Sequence, residues 1–401
     1  MATNVYGNGT TTSTAGANTI VHYYDRAGVN AANRVNVYQQ FSDRKSMPQR
    51  YGKTFKISRF EHMYDRAFDD ADFAAKGYMT ARDIADMNTA LSAATLAEGA
   101  ADVNKRSLQK VTYSTEFARY GEMIDYTDEV DIWSEDYIQV RYREELGELA
   151  NSRMEDLIQR DMLGTTTVMY SGAAGAITEI GTGAAADGST DADHVVSYDL
   201  IRKAVRKLTR NRAKKNTQIV TGSTKIGTTP VAKAFYAVIG ADVKSDLETL
   251  TRGSTYETEF VYTPVHKYAA ASTMAEGEVG QMHEVRFIEA ESAVVYREAG
   301  ANPPASYLGD LQVSGVIDAA SVTPADRGQF DVFPILFPTE GAFATVGLKG
   351  LEKIKFNSKS PAQVELINPY GTTGFFSYNF FYAGIILKEE ALLKVLVAAR
   401  N

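Results

Sequence analysis

The sequence predicts an α+β fold, and three observations lead to this prediction. Two strand-like stretches, at residues 53–60 and 110–119, are far apart in the chain, and a long helical pattern follows them at 134–163. Helices then alternate with short strands between residues 197 and 300, and from residue 332 onward the chain is strand-like. Helices and strands that are partly segregated along a chain are typical of the α+β class.

The composition is that of a globular protein and excludes several classes. The chain has 401 residues, of which 44% are apolar and 23% are charged, and this length predicts two to three domains. It contains no Cys, which excludes disulfides, thiolate metal sites and cysteine catalysis. No apolar run approaches a membrane span, and the N-terminus lacks the basic and apolar regions of a signal peptide. We therefore expect neither a membrane span nor a signal peptide.

Residues 1–50 are interpreted as an extended arm. Residues 1–20 are rich in Thr, Gly and Asn, and such a segment becomes ordered only against another surface. Residues 1–60 hold 8 basic and 2 acidic residues, whereas residues 61–200 hold 11 basic and 28 acidic residues. These blocks favour a chain whose basic arm lies on acidic parts of neighbouring copies. The alternative is chance clustering on solvated faces.

Residues 50–122 are predicted to form a long two-stranded excursion. The stretches 53–60 and 110–119 alternate apolar and polar residues with the period of a strand that has one packed face. Between them a helix is predicted from Thr80, its N-cap, to about Ala97, with Ile84, Met87 and Leu91 on one face. An isolated two-stranded ribbon is marginally stable, so the excursion implies a partner surface.

A long helix is predicted at 134–163, and we call it the spine helix. Ser134 is placed as its N-cap, Gly164 ends it, and Asp156 and Arg160 are expected to pair at i,i+4 spacing. Its apolar stripe recurs every three or four residues. The stripe comprises Ile138, Tyr142, Leu146, Leu149, Ala150, Met154, Leu157, Ile158 and Met162.

A second helix at 200–215 is apolar on one face and basic on the other. Leu200, Ile201, Ala204, Val205 and Leu208 form the apolar face. A buried strand at Gln218–Thr221 and a helix from Pro230 to just before Gly240 are expected next. The final strands are expected at 332–337, 342–348, 362–367, 375–387 and 391–397.

No catalytic constellation is present in the sequence. The five His residues lack metal-binding spacing, and no G-x-S-x-G, phosphate-binding loop or convincing dinucleotide motif occurs, so no cofactor and no enzymatic activity are expected. The basic helix could contact phosphates, but it lacks interleaved aromatic residues for base stacking, and this favours a surface that faces solvent or another subunit. The candidate residues for a subunit interface or a DNA-facing surface are Arg26, Arg34, Arg44, Lys45, Arg202, Lys203, Arg206, Lys207 and Arg210.

Three stretches in order resemble one protein family. They are EELGELANSRMEDLIQRDMLG (144–164), EGEVGQMHEVRFIEAES (276–292) and INPYGTTGFFSYNFFYAGIIL (367–387). Together with the order of parts, they resemble the major capsid proteins of tailed phages, which have the Hong Kong 97-type fold, and in particular those of Enquatrovirus-type short-tailed phages. The chain departs from the family pattern at Met282, His283 and Asn368.

The resemblance implies a division of the chain and a role in the virion, with assembly in the host cytoplasm. It implies an N-terminal arm (1–50), an extended loop (51–122), a peripheral domain with the spine helix (123–196), an axial domain (197–345) and C-terminal strands that return to these domains (346–401). It also implies pentamers and hexamers that enclose double-stranded DNA, with the excursion lying over a neighbouring subunit. Other implied partners are the portal protein, packaged DNA held by non-specific contact and, in some relatives, a decoration protein on the outer face. No membrane is involved.

Three functions are open to a chain with these features. The first is a structural shell protein, the second is a DNA-binding protein that uses residues 200–215 and the arm, and the third is an α/β enzyme. The net charge of −8 argues against the second, and the missing catalytic motifs argue against the third. The sequence therefore favours the shell protein.

Overall fold

The structure is a computed structural model. It describes residues 36–60, 84–96, 98–99, 108, 110–133, 138–216, 233–250, 263–264, 275–304, 307–314, 328–364 and 368–401. The strands in these residues are β1 (Asp43–Met47), β2 (Thr54–Phe60), β3 (Lys110–Glu116), β4 (Ala118–Thr127), β5 (Val168–Tyr170), β6 (Phe235–Ile239), β7 (Thr263–Pro264), β8 (Glu278–Met282), β9 (Val285–Glu289), β10 (Val313–Ser314), β11 (Gln329–Phe330), β12 (Phe333–Phe337), β13 (Phe343–Leu348), β14 (Lys355–Lys359), β15 (Thr373–Ile386) and β16 (Leu393–Val397). The helices are α1 (Ile84–Ser92), α2 (Asp128–Trp133), α3 (Ile138–Leu163), α4 (Tyr198–Arg210) and α5 (Ala241–Glu248).

A five-stranded sheet is organised around the long strand β15. β15 runs antiparallel to β4, β13 and β14, and β1 extends the sheet by pairing in parallel with β13. Successive side chains of a strand point to opposite faces of its sheet. Along β15 the even-numbered residues Phe376, Tyr378, Phe380 and Tyr382 are buried in the largest core cluster. The odd-numbered Ala383 and Ile385 belong to a separate cluster on the other face.

The spine helix α3 covers the even-numbered face of β15. Leu146, Ala150, Ile158 and Met162 are at most 1% exposed and pack in the same cluster as the aromatic residues of β15. The helix ends at Leu163, directly before Gly164, as the sequence predicts. The expected cap Ser134 lies outside the described residues. The expected Asp156–Arg160 pair is wrong, because Arg160 binds its neighbour Asp161 and Asp156 lies 3.9 Å from Arg153.

A seven-stranded mixed sheet forms the second large core. Its strand order is β5-β16-β12-β6-β9-β8-β7. Helix α4 begins after Ser197, whose side chain accepts a hydrogen bond from the Leu200 N–H, as an N-cap residue does. Its apolar face, predicted from the sequence, is buried against this sheet.

The two predicted strands of the excursion pair as an antiparallel ribbon, β2–β3. Phe55, Ile57 and Tyr113 are half-buried against the odd-numbered face of the five-stranded sheet. The base of the ribbon is therefore supported by its own subunit, whereas the sequence led us to expect that a partner would supply the support. After Phe117 the chain leaves the ribbon, and β4 pairs with β15.

The root of the N-terminal arm is fixed to the spine helix. The carboxylate of Glu155, 1% exposed, accepts hydrogen bonds from the backbone N–H groups of Val37, Tyr38 and Gln39. The amide of Gln40 exchanges two hydrogen bonds with the backbone of Glu276. The arm root is thereby attached to both large parts of the subunit. Residues 1–35 of the arm lie outside the described residues.

Several predicted elements differ in the structure. Residues 235–239, expected in a helix, form the fully buried strand β6, because a short continuous apolar run suits a central strand. A helix, α5, follows only after Gly240. The strand expected at Gln218–Thr221 and Pro230, the expected first residue of the helix, lie outside the described residues. The strand expected at 362–367 is wrong in its described part, where Pro361 and Ala362 form a turn. α1 is shorter than predicted, and Ile84 and Leu91 are 62% and 49% exposed.

Candidate subunit interface

The described residues leave half of one face of the five-stranded sheet open. The ribbon covers this face near Ala383 and Ile385, but it does not cover the part near Phe375, Ser377 and Asn379, which are half-buried. Residues that pair directly in an antiparallel sheet share a face. The open sheet face therefore comprises Arg119, Met123, Asp125, Lys355, Asn357, Lys359, Phe375, Ser377 and Asn379.

The open sheet face combines apolar and basic side chains. Met123 is 63% exposed, and the Arg119 guanidinium carbon lies 5.6 Å from the centre of the Phe381 ring. Lys355 and Lys359 lie at the edge strand β14, where Lys side chains discourage uncontrolled strand pairing. An exposed apolar surface with a charged rim is typical of a protein–protein contact.

A second exposed apolar group lies at one end of the same sheet. Ile132 and Trp133 of α2 are 67% and 82% exposed, and Tyr370 is 88% exposed. The Asp128 N–H donates to the Thr372 carbonyl at 2.9 Å, so α2 begins beside the turn that contains Tyr370. A Trp this exposed is unusual in an isolated subunit and indicates a contact with another molecule.

A groove separates the spine helix from β14. It has a volume of about 420 Å³ and is lined by Arg143, Leu146, Phe356, Asn357, Ser358, Phe376 and Ser377. Leu146 and Phe376 are buried, and Phe356 is 54% exposed at the rim. The Arg143 guanidinium carbon lies 5.0 Å from the centre of the Phe376 ring. The groove therefore offers an apolar base beside a cation.

The basic residues predicted for an interface lie on two separate sheets. Arg44 and Lys45 are exposed on β1 of the five-stranded sheet, where they pair with Thr345 and Val346. Arg202, Lys203, Arg206 and Arg210 are exposed on α4, which packs on the seven-stranded sheet. Arg26 and Arg34 lie outside the described residues. The structure therefore does not gather the candidates into one patch.

Lys207 is the exception on the basic helix, and its placement corrects the prediction. It is 8% exposed, and its Nζ donates to the Val168 carbonyl at 3.0 Å. Lys207 borders the apolar stripe of α4, so its aliphatic chain is buried along the helix flank. Burial lowers the pKa of Lys207 to about 8. It therefore contributes no exposed charge.

The lowered pKa of Lys207 predicts a specific pH dependence. Above about pH 8 the folded chain releases this proton while the unfolded chain retains it, so stability rises with pH. Lys207→Met should reduce this rise, to which the half-buried amine of Lys394 also contributes, whereas the exposed Lys203→Met should retain it in full. Thermal melting of both unassembled variants at about pH 7.5 and about pH 9.5 measures the effect. The same pH dependence in both variants would contradict the assignment.

Sequence reasoning missed three residues that hold the arm and the excursion in place, namely Arg59, Glu155 and Glu390. Arg59 shares the inward face of β2 with Phe55 and Ile57, because alternate residues of a strand share a face. Glu155 lies near the apolar stripe of the spine helix, and a carboxylate at such a position signals a buried polar contact. For Glu390 no signal was available.

No metal site and no membrane span is found in the described part of the chain. No group of three or more His, Asp or Glu side chains there could hold a metal ion. The described helices are too short or too polar to cross a bilayer.

Comparison with known proteins gives one sequence relative and several similar structures. No family model matches the chain. The chain is 26% identical over 408 residues to the major capsid protein of Pseudomonas phage KPP21, covering 97% of this chain and 95% of the relative. The capsid of Ralstonia phage GP4 matches with a TM-score of 0.57 at 10% identity, covering 98% of this chain and 99% of that chain. The capsid of cyanophage P-SCSP1u matches with a TM-score of 0.55 at 9% identity, covering 97% and 96%.

The comparisons agree with the architecture described above. The structural matches extend over nearly the whole chain and establish the fold, and the sequence relative is a phage major capsid protein. The narrower likeness to Enquatrovirus-type phages stays a prediction. The chain therefore has the Hong Kong 97-type fold of phage capsids, and its sequence is similar to that of a phage major capsid protein.

Proposed function

We propose that this chain is a phage major capsid protein that assembles into the pentamers and hexamers of an icosahedral head enclosing double-stranded DNA. The observation that carries the proposal is the open sheet face beside the exposed apolar group of Ile132, Trp133 and Tyr370. A subunit that stays monomeric would expose these side chains to water, and a shell would cover them. The role is structural, and no catalytic step is assigned.

We propose that the excursion of a neighbouring copy covers the open sheet face. The chain between the ribbon strands, residues 61–109, holds 9 acidic and 5 basic residues. The open sheet face carries Arg119, Lys355 and Lys359 against one carboxylate, Asp125. Opposite charge on the two surfaces favours their association and sets its orientation. In this arrangement the five-stranded sheet belongs to the peripheral domain and the seven-stranded sheet belongs to the axial domain.

A second role is supported for the basic helix inside the same shell. Arg202, Lys203, Arg206 and Arg210 project from α4 into solvent, and Arg202 lies 3.5 Å from Asp199. Four cations on one helix can contact phosphates without reading sequence. We propose non-specific contact with packaged DNA for this surface. The portal protein and, on the outer face, a decoration protein remain proposed partners by family resemblance.

Reversing charge on the open sheet face should block assembly without unfolding the subunit. We expect the double substitution Lys355→Glu and Lys359→Glu to melt within a few degrees of the unchanged chain. Lys355 is exposed and Lys359 is half-buried on the edge strand β14, and charges at a protein surface contribute little to stability. The double variant should nevertheless form few or no closed particles, because like charges would face the acidic excursion. Negative-stain microscopy and sedimentation of the full chain measure this outcome.

The control is Lys214→Glu, an exposed lysine that follows α4. It should form normal particles. Normal particles from the double variant as well would overturn the proposed contact. An unchanged chain that forms neither capsomers nor shells, or that associates only with added DNA, would instead overturn the proposed function.

A further inference from the structure

The base of the ribbon is attached to its own subunit by polar contacts from both strands. On β2, Arg59 Nη1 lies 2.6 Å from Glu390 Oε1, and the Arg59 guanidinium carbon lies 5.8 Å from the centre of the Tyr113 ring. On β3, Thr115 Oγ1 donates to the Gly384 carbonyl at 2.9 Å. These contacts flank the apolar packing of Phe55, Ile57 and Tyr113. The directional polar contacts fix the position of the ribbon on the sheet, which apolar packing alone would not do.

The Glu390 carboxylate is held rigidly by the turn that carries it. Glu390 belongs to the 3-10 turn Glu389–Ala391, which hydrogen bonds join to three other parts of the subunit. Thr165 Oγ1 and the Thr166 N–H, just after the spine helix, donate to Glu389 Oε2. Two further donors come from other parts of the subunit. Asn211, at the end of α4, donates to the Glu390 carbonyl at 2.8 Å, and Thr339, after β12, donates to the Ala391 carbonyl at 2.7 Å.

The Arg59–Glu390 pair is mostly shielded from water. The Glu390 side chain is 8% exposed and the Arg59 side chain is 23% exposed. Among the described residues, the other carboxylate oxygen of Glu390 has no hydrogen-bond partner. A buried carboxylate that loses its cation is strongly destabilised, so lifting the ribbon would leave Glu390 in an unfavourable state. The pair therefore opposes detachment far more than an exposed ion pair would.

We propose that Arg59 and Glu390 form a clamp that keeps the base of the excursion on its own subunit during assembly. Only residues beyond Phe60 then reach the neighbouring copy, and the clamp sets the direction in which they leave. Because the Glu389–Ala391 turn also binds the ends of the spine helix and α4, this direction is fixed relative to both large parts of the subunit. The reach to a neighbour rests on the proposed function, whereas the clamp itself is a property of the single subunit.

Hydrogen exchange of the unassembled full chain tests the clamp directly. In Arg59→Ala, the amides of β2 and β3 should exchange at least about tenfold faster than in the unchanged chain, because the base of the ribbon opens more often. Arg59→Lys retains a cation but loses the planar guanidinium over Tyr113, so its exchange should be intermediate between those of Arg59→Ala and the unchanged chain. The exchanged pair, Arg59→Glu with Glu390→Arg, should recover protection relative to Arg59→Glu alone. Lys56→Ala, on the exposed face of the same strand, is the matched control and should change nothing.

Two results would overturn the clamp. One is equal exchange in Arg59→Ala and Lys56→Ala, and the other is failure of the exchanged pair to recover protection while its global melting stays normal. Particle morphology gives an independent readout, since a loosened base should yield irregular particles instead of uniform shells. If the unchanged chain forms no shells, the proposed function fails, and the exchange measurements still decide whether the clamp exists.

Discussion

Replacing Leu157 by Ala should lower the free energy of unfolding of the subunit by about 2–5 kcal/mol. Leu157 is 9% exposed and packs in the cluster between the spine helix and the even-numbered face of β15. The substitution removes apolar contacts and leaves a cavity in a densely packed region. A loss of this size is a large part of a domain's stability, so the variant should be poorly soluble or unfold at a much lower temperature.

The matched control for Leu157→Ala is Glu145→Ala. Glu145 is exposed on the same helix, and its loss should change stability by less than about 1 kcal/mol. Circular dichroism melting of both unassembled variants is the measurement. Equal melting temperatures would show that Leu157 does not belong to the core. If Leu157→Ala folded normally but failed to assemble, its stripe would have to face another subunit.

Replacing Glu155 by Ala should release the root of the N-terminal arm. The carboxylate accepts three backbone N–H groups, and the Gln159 amide donates to the Tyr38 hydroxyl beside it at 2.9 Å. Hydrogen bonds to a charged acceptor contribute more than neutral ones, and the buried N–H groups would lose their partner. We expect a loss of about 2–4 kcal/mol, together with faster proteolysis near Val37.

Asp156→Ala is the neighbouring control for Glu155→Ala. Asp156 is half-buried at 3.9 Å from Arg153, and its removal should cost less than about 1 kcal/mol. Urea denaturation gives both free energies, provided that the denaturant dependence stays the same in each variant. If Glu155→Ala were cleaved near Val37 no faster than the unchanged chain, the proposed anchoring of the arm root would be contradicted.

Periodic segments of the sequence predicted their structures well. The spine helix, the apolar face of α4, the β2–β3 ribbon and β15 all have a repeated pattern over at least seven residues, so the helical or strand period is unambiguous. Residues 235–239 have no such pattern, because five consecutive apolar residues suit a buried helix and a central strand equally. The preceding Pro230 then favoured a helix, and the sheet around β6 determined the outcome.

The contacts that hold the arm and excursion could not be predicted, because they join distant parts of the chain. Glu155 binds Val37 across 118 positions, and Arg59 binds Glu390 across 331 positions. No local pattern encodes such a pairing. The burial of Lys207 could not be predicted from the helical pattern either. A residue at the flank of an amphipathic helix is exposed or buried according to what packs beside it.

The alternation along β15 also determines which changes of length the subunit tolerates. Phe376 and Phe380 face the spine helix, while Ala383 and Ile385 face the ribbon. A single strand therefore separates two apolar cores. A single residue inserted near Asn379 would turn the following side chains to the opposite interior. Aromatic rings would then meet a space shaped for Ala, and small side chains would leave a void against the helix. Insertions and deletions should therefore be confined to turns such as the one that carries Tyr370, while β15 itself changes only by substitution.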